Sequence, residues 1–267
     1  MRVALRVAYD GTVFYGFQRQ PDVRTVEGDI VQVLEKLNVI EDAGSAHFKG
    51  ASRTDKGVSA FFNVVSFDVS RRLDLVRPEV LNHHLRDIWV LGVAEVPCEF
   101  HPRFWAKSKT YRYYLIDEGL DLKAMKECAG MFVGTYNFKA FARLEPGKNP
   151  VRKLTRVDVT GRRGYILIEI EGESFLWEMA RRIVNALRFC GLGLMDAGEI
   201  QEMLTGDYTK KVPAAAPEGL ILWHIAYEGL KFRGNEMGLK KAKRDLFERY
   251  SRALTRAALF GDILVNL

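Results

Sequence analysis

The order of hydrophobic patterns along the first hundred residues is the feature that most restricts the fold. Residues 2 to 10 alternate like a strand, and residues 25 to 38 carry apolar side chains at helical spacing, with Thr25 as the candidate N-cap. A short strand near residues 47 to 51, a strand in FFNVVSFDV, a helix opened by Pro78 and a strand in IWVLGVAEV follow. The order strand–helix–strand–strand–helix–strand is that of a ferredoxin-like unit.

The second half of the chain has a similar order of elements without a repeated sequence. The expected elements are a strand in SKTYRYYLI, a helix in DLKAMKECAGMF, a hairpin of VRKLTRVDVTG and YILIEIEGESF, helices in FLWEMARRIVNALRFCGL and AGEIQEMLTG, and a strand in LILWHIAYEGL. We therefore expect an N-terminal half at residues 1–104, a C-terminal half at residues 105–230 and a helical extension at residues 231–267.

The extension is predicted to form an amphipathic helix over residues 238 to 260. One side of this helix carries Leu239, Leu246, Phe247, Tyr250, Leu254 and Ala258. We expect that side to pack onto the body of the protein, with a dimer contact or an RNA contact as the alternatives.

Composition indicates a soluble globular protein, with 48% hydrophobic and 28% charged residues among 267. No apolar run reaches membrane-spanning length, and the N-terminus alternates like a strand rather than resembling a signal peptide, so we expect a cytoplasmic protein that contacts no membrane. The three cysteines, Cys98, Cys128 and Cys190, form no CxxC motif and have no nearby histidine partners. Neither a metal site nor a disulfide framework is therefore expected.

Basic residues outnumber acidic ones by 40 to 34, a net charge of +6. The cations gather near residues 19–24, 103–112, 148–156 and 181–188, and several of them are next to aromatic residues. Each cluster alone is typical of a solvated face, but phosphates need cations and unstacked bases need flat surfaces, so the set favours nucleic acid as a partner. The sequence contains no P-loop, no GxGxxG after a strand, no HExxH and no GxSxG, so the common nucleotide-binding, zinc-protease and serine-hydrolase functions lack support.

The stretch GASRTDKGVSA, residues 50 to 60, places the carboxylate of Asp55 between Arg53 and Lys56. An Asp-x-Gly sequence by itself is typical of a turn. Here the loop joins two predicted strands, and its small residues allow another backbone to approach closely. The adjacent cations favour an ionised carboxylate, which suits a nucleophile or a weak base better than a general acid. The residues alone thus indicate an RNA-binding α/β enzyme with a catalytic aspartate.

This loop also resembles the signature of the tRNA pseudouridine synthase A family, in which RTD is followed by a variable residue and GV. Further stretches are similar to the family in order and spacing, and together they cover residues 1 to 230. They are YDGTVFYGFQRQ (9–20), RTVEGDI (24–30), FHPRFWAKSKTYRYYL (100–115), GTYNFKAF (134–141), FLWEMARRIV (175–184) and APEGLIL (216–222).

The resemblance implies an isomerase that converts uridine to pseudouridine at positions 38 to 40 of the tRNA anticodon stem-loop, without a cofactor. It implies an α+β fold in which two ferredoxin-like (RRM-like) halves share a mixed, mainly antiparallel sheet with a central active-site cleft. It also implies a homodimer in which one tRNA contacts both subunits.

Three catalytic residues follow from the resemblance. Asp55 matches the catalytic aspartate, which can attack C1′, attack C6 or remove the C2′ proton. Tyr111 matches the tyrosine that stacks on the target base, although a tyrosine in such a strand more often packs in the core. Arg181 matches the arginine that pairs with the aspartate, and its apolar surroundings in MARRIV make an unpaired charge costly.

Further residues are expected to hold the substrate. Gly219 and Leu220 match the segment that lines the uracil pocket. We expect Arg53 to contact a phosphate or to help displace the flipped base. Arg19, Arg24, Lys109 and Arg112 are the remaining candidates for RNA contacts.

Departures from the family concern residues around the site rather than the three catalytic ones. Ser52, Ser59 and Arg86 stand where many bacterial members carry glycine, histidine and proline, and Trp177 and Glu178 stand where they often carry histidines. These changes indicate the archaeal or eukaryotic branch of the family. Two other functions stay open: a pseudouridine synthase for another tRNA position or another RNA, and a non-catalytic RNA-binding protein of the same fold.

Overall fold

The computed structural model of the chain describes residues 1–206, 211–234 and 236–266. Its strands are β1 (Arg2–Tyr9), β2 (Lys49–Gly50), β3 (Ser59–Asp68), β4 (Ile88–Val96), β5 (Ser108–Ile116), β6 (Gly134–Asn137), β7 (Val151–Arg162), β8 (Tyr165–Gly172) and β9 (Leu220–Ala226). Its α-helices are α1 (Val26–Lys36), α2 (Pro78–His84), α3 (Leu122–Met131), α4 (Met179–Gly191), α5 (Ala197–Thr205) and α6 (Glu236–Val265).

All strands of the described residues belong to one sheet, in the order β4-β1-β3-β9-β5-β8-β7-β6, with β2 paired to β3. The two halves of the chain meet where β3 lies parallel to β9, with Ser59 opposite Ile221 and Ala60 opposite Leu222. The other strand pairings are antiparallel. This arrangement confirms the predicted α+β fold with a mixed, mainly antiparallel sheet.

Buried apolar residues of both halves form one continuous core. Strand β1 contributes Val3, Leu5 and Val7, α1 contributes Ile30 and Leu34, and α4 contributes a long row of apolar side chains. Thr25 caps α1 as predicted, because its side chain accepts a hydrogen bond from the Gly28 amide. The predicted boundaries of the halves fall between β4 and β5 and between β9 and α6, and the three-part division itself stays a prediction.

Two helix predictions need correction. Helix α4 begins at Met179 rather than at residue 175, because Glu178 has a left-handed backbone with φ of 62° and cannot continue a helix. Helix α6 is longer than predicted, and only its first half packs on the protein. The expectation that its apolar side covers the body is wrong from Leu246 onwards, where Phe247, Tyr250 and Leu254 are exposed. Strand β6, which the sequence analysis did not assign, lies at the edge of the sheet.

Gly11 follows β1 and lies directly against the start of β3. A Cβ atom at this buried position would lie 2.0 Å from the carbonyl oxygen of Val58 and 2.7 Å from the amide nitrogen of Ser59. Because both neighbours are backbone atoms, neither can move aside without displacing the chain at the start of β3.

We expect Gly11→Ala to lower the free energy of unfolding by about 2 kcal/mol or more, as other overpacking substitutions do. The matched control is Gly130→Ala in α3, where nothing lies within 4 Å of the added methyl group. That variant should be as stable as the wild type or up to about 1 kcal/mol more stable, because alanine favours helix. Guanidinium unfolding of the three proteins measures both effects, and equal stability of Gly11→Ala and wild type would contradict the close contact.

Candidate active site

Asp55 lies in the loop between β2 and β3, residues 51 to 58, which is here called the Asp55 loop. The segment after β1 packs against it: the Phe17 amide donates a hydrogen bond of 3.0 Å to the Thr54 carbonyl. Gly16, with φ of +103°, comes so close that a Cβ atom there would lie 3.2 Å from the same carbonyl. The amide of Val58 donates to the carbonyl of Asp55, which closes a turn around Gly57. The loop is therefore held by backbone contacts on both sides.

The carboxylate of Asp55 is paired with Arg181 of α4. Nη2 and Nε of Arg181 both donate to Oδ2 of Asp55, at 2.8 and 3.2 Å, and the two side chains are 12% and 24% exposed. No group of the described residues donates a hydrogen bond to the second oxygen, Oδ1, and Oδ1 is not among the fully buried unpaired atoms. The ion pair thus fixes one oxygen of the carboxylate and leaves the other free to act on a bound molecule.

Other contacts fix the guanidinium of Arg181. Its Nη1 donates to the Ala215 carbonyl at 3.0 Å, while the Ala215 amide donates back to the Arg181 carbonyl. Glu178 lies 3.5 Å from Nη2 of Arg181 and also accepts two hydrogen bonds from Arg182. Glu178 therefore positions both arginines. The sequence analysis named it only as a departure from bacterial members.

Tyr111 of β5 lies in the interior beside the Asp55 loop. Its hydroxyl shares a hydrogen bond of 3.0 Å with the Ser52 hydroxyl, and its ring meets the edge of Phe175 at a centroid distance of 4.8 Å. Burial, with a smaller contribution from the nearby Asp55 charge, raises the pKa of Tyr111 to about 12. At neutral pH the phenol is therefore uncharged.

A buried polar network supports the Asp55 loop from below. Asn63 of β3 donates to the Tyr9 hydroxyl at 3.2 Å and to the Ser52 carbonyl at 2.9 Å. Tyr9 in turn shares a hydrogen bond of 2.8 Å with the Thr54 hydroxyl. This network was not predicted from the sequence. The signal was the single asparagine in the apolar strand FFNVVSFDV, since a buried amide needs partners.

The segment before β9 lies beside the Asp55 loop. Leu220 is buried, and Gly219 lies against the Tyr113 ring, where a Cβ atom would be 2.6 Å from the nearest ring carbon. The Tyr113 hydroxyl donates to the Ala216 carbonyl at 3.0 Å, which fixes the course of this segment. Because β3 and β9 run parallel, the Asp55 loop and this segment lie side by side at the same end of the two strands.

The predicted RNA-contacting cations differ in their exposure and in their ion-pair partners. Arg53 is exposed, and none of the described residues forms an ion pair with it. Arg19 is half exposed and lies 3.7 Å from Glu27. Arg24 is already neutralised, because it pairs with Asp29 and Asp87 at 2.8 Å each. The structure therefore favours Arg53 and Arg19 over Arg24 as phosphate contacts.

Arg112 and Lys109 are also engaged within the protein. Arg112 pairs with Glu169 and lies over the Trp223 ring, and adjacent strand residues point to opposite faces, so it faces away from Tyr111. Lys109 is buried, and its ammonium donates to the Ala51 carbonyl at 2.8 Å. Because both side chains are engaged within the protein, neither is well placed to contact a phosphate. Lys109 instead supports the Asp55 loop.

Within the parts of the chain that the structure describes, no three histidine, cysteine, aspartate or glutamate side chains are placed to hold a metal ion. Likewise, no helix in the described ranges has the length and apolarity needed to cross a membrane.

Comparison with known proteins identifies the family. A family model described as tRNA pseudouridine synthase matches residues 128–228, which include Arg181, Gly219 and Leu220. The chain is 71% identical to tRNA pseudouridine synthase A of Thermococcus onnurineus over 267 residues, which are the whole of both chains. The chain belongs to the tRNA pseudouridine synthase A family.

Other archaeal members of this family are also similar over their full length. The identity is 69% with the protein of Thermococcus kodakarensis, where all of both chains is covered, and 48% with that of Pyrococcus furiosus, where 98% of the relative is covered. These relatives confirm the resemblance found in the sequence and its archaeal character. The activity of the family is that of an isomerase acting on tRNA uridine.

Burial of Lys109 generates a prediction about pH. Desolvation lowers the pKa of Lys109 to about 8 from its ordinary 10.5. Between these pH values the unfolded chain binds more protons than the folded protein, so folding becomes more favourable as the pH rises. Below pH 8 the buried charge costs roughly 3 kcal/mol, because lowering a pKa by one corresponds to about 1.4 kcal/mol.

As the pH rises from 7 to 10.5, we expect the free energy of unfolding to increase more for the wild type than for Lys109→Met, by up to roughly 3 kcal/mol. Denaturant unfolding at several pH values measures the difference. Lys126→Met, which removes an exposed lysine of α3, serves as the control for the loss of a lysine side chain. Parallel pH curves for wild type and Lys109→Met would show that burial does not perturb this lysine.

Proposed function

We propose that this protein converts uridine to pseudouridine at positions 38 to 40 of the tRNA anticodon stem-loop, with Asp55 as the catalytic carboxylate. The observation that carries the proposal is the geometry of Asp55, whose Oδ2 is held by Arg181 while Oδ1 has no partner among the described residues. Asp55 is 24% exposed and Oδ1 is not fully buried, so a bound molecule can reach the free oxygen.

The reaction requires few groups from the protein. The C1′–N1 bond breaks, the uracil turns, and C5 joins C1′, while the proton on C5 leaves and N1 gains one. No other reagent is consumed. An ionised Asp55 held through Oδ2 can use Oδ1 to attack C1′, to attack C6 or to take the C2′ proton, and all three need the same free oxygen. Arg181 orients that carboxylate through its two hydrogen bonds to Oδ2.

The remaining groups would receive the flipped base. Stacking against the uncharged ring of Tyr111 costs no desolvation of a charge, and Gly219 and Leu220 line the other side of the pocket. Extruding a base from a stem costs a few kcal/mol, so contacts to the backbone must offset it. Arg53 in the Asp55 loop and Arg19 on the adjoining segment are the exposed cations suited to phosphates. We further propose that the protein works as an RNA-binding homodimer in the cytoplasm.

Mapping of pseudouridine in an unmodified tRNA transcript tests this proposal. Wild-type protein should form pseudouridine at positions 38 to 40, detected by chemical adduct formation and primer extension. If pseudouridine formed only at another position, the proposed target position would be wrong. If the protein bound tRNA but formed no pseudouridine, the result would favour a non-catalytic RNA-binding protein.

Asp55→Asn should abolish the isomerisation and leave tRNA affinity within a few fold. The amide is nearly isosteric with the carboxylate, but it is neither a nucleophile nor a base at neutral pH. Asp158→Asn, which removes a carboxylate of β7 that is 57% exposed, is the matched control and should retain activity. If Asp55→Asn lost tRNA affinity in proportion to activity, Asp55 would be a binding residue and not a catalytic one.

Arg181→Lys should lose activity at least tenfold, about 1.4 kcal/mol in the barrier, although it keeps the charge. An ammonium cannot place two donors on Oδ2 and a third on the Ala215 carbonyl at the same time. Arg182→Lys is a close control, because Arg182 is equally buried and pairs with Glu178 but does not touch Asp55. Single-turnover rates of both variants decide the point. An Arg181→Lys enzyme within threefold of wild type would rule out the orienting role.

A further inference from the structure

Helix α6 is anchored to the body only by its first half. Ala242 is buried against Trp89 and Ala8, on the face of β1 and β4 opposite the main core. The Trp89 indole donates to Asp245 at 3.3 Å, and Arg249 pairs with Asp10 and Asp87. No hydrogen bond or ion pair joins residues 250 to 266 to any other element of the described chain.

The second half of α6 exposes an unusual amount of apolar surface. From Leu246 onwards, nine large hydrophobic side chains are 46 to 86% exposed. They are Leu246, Phe247, Tyr250, Leu254, Leu259, Phe260, Ile263, Leu264 and Val265. Together they expose on the order of 1,000 Å², whereas the largest apolar patch on a monomer is about 300–600 Å².

This half of the helix is not expected to be stable in water by itself. About sixteen residues beyond Arg249 are close to the length at which isolated helices are marginal even in alanine-rich sequences. Near its C-terminal end the helix is apolar on nearly all sides, and such a helix is normally buried. A partner that covers the segment would stabilise the helix and bury its apolar side chains.

The sequence of the segment selects the kind of partner. The charged side chains between residues 246 and 265 are Glu248, Arg249, Arg252, Arg256 and Asp262, and Arg249 already pairs with Asp10 and Asp87. The segment therefore offers few cations to a phosphate backbone. Residues 247, 250, 254, 257, 261 and 264 are all apolar or glycine and follow one another at alternating intervals of three and four, as at the contact positions of paired helices. The exposed area also matches the roughly 800 Å² that each partner buries in a stable interface.

We propose that residues 246–265 of α6 form the interface between two copies of this chain, with each segment packing on the same segment of the partner. A two-fold axis makes such an interface self-complementary. The inference deepens the proposed homodimer by assigning its surface, and it does not depend on the catalytic role of Asp55. Small side chains at Ala257 and Gly261 would let the two helices approach closely at the middle of the segment.

Molar mass in solution tests the surface, measured by light scattering and sedimentation velocity on full-length protein without RNA. Wild type should be a dimer. Leu254→Asp, an exposed position of α6, should raise the dimer dissociation constant at least tenfold. The matched control is Leu194→Asp, an exposed leucine beyond the end of α4, which should remain a dimer. A dimer that persists unchanged in Leu254→Asp would refute this surface but not the homodimer, and a monomeric wild type would refute both.

Cross-linking gives a second measurement that does not rely on disruption. In a background in which the exposed Cys98 is replaced by serine, Ala257→Cys should form a disulfide-linked dimer on mild oxidation. Leu194→Cys should not. Absence of the Ala257→Cys cross-link in a dimeric protein would overturn the proposal, as would a Leu254→Asp variant that keeps its dimer mass but loses affinity for tRNA or for lipid vesicles.

Discussion

The ion pair between Arg181 and Asp55 joins residues that are 126 positions apart in the chain, and the rest of the site is arranged around it. It forms because β3 and β9 run side by side, so that the loop before one strand meets the segment before the other. Arg181 reaches across this junction from α4 and also holds the Ala215 carbonyl. The N-terminal half supplies the carboxylate and the C-terminal half orients it, so neither half can form this site alone.

The energetics of a partly buried ion pair explain why so many groups support it. Both charges lose hydration, and their attraction offsets that loss only when the geometry is good and the remaining donors are satisfied. Ala215 and Glu178 satisfy Arg181. Asn63 and Lys109 hold the backbone of the Asp55 loop, and Tyr9 holds its Thr54 side chain. In this arrangement Oδ1 of Asp55 has no hydrogen-bond partner among the described residues, as the proposed catalytic role requires.

The sequence correctly predicted the elements that local patterns determine. It did not reveal the features that depend on contacts between residues far apart in the chain. The bounds of β5 and the Thr25 cap follow from alternation and from a side chain acting on its own helix. The start of α4 was missed because the left-handed backbone at Glu178 accompanies its contacts with two arginines, which no local pattern reveals. Lys109 resembles a surface cation in sequence, and only the sheet places it in the interior. The apolar side of α6 was recognised, but the body of the protein leaves it uncovered from Leu246 onwards.

A crystal structure of the protein with an anticodon stem-loop RNA tests the central claim most directly. The account predicts that the target nucleotide has left the stack and that its ribose or base lies within about 3.5 Å of Oδ1 of Asp55, the separation typical of reacting atoms. Oδ2 should still accept both hydrogen bonds from Arg181. A complex in which the target base occupies the cleft while Arg181 has turned away from Asp55, or in which Oδ1 points away from the nucleotide, would contradict the account.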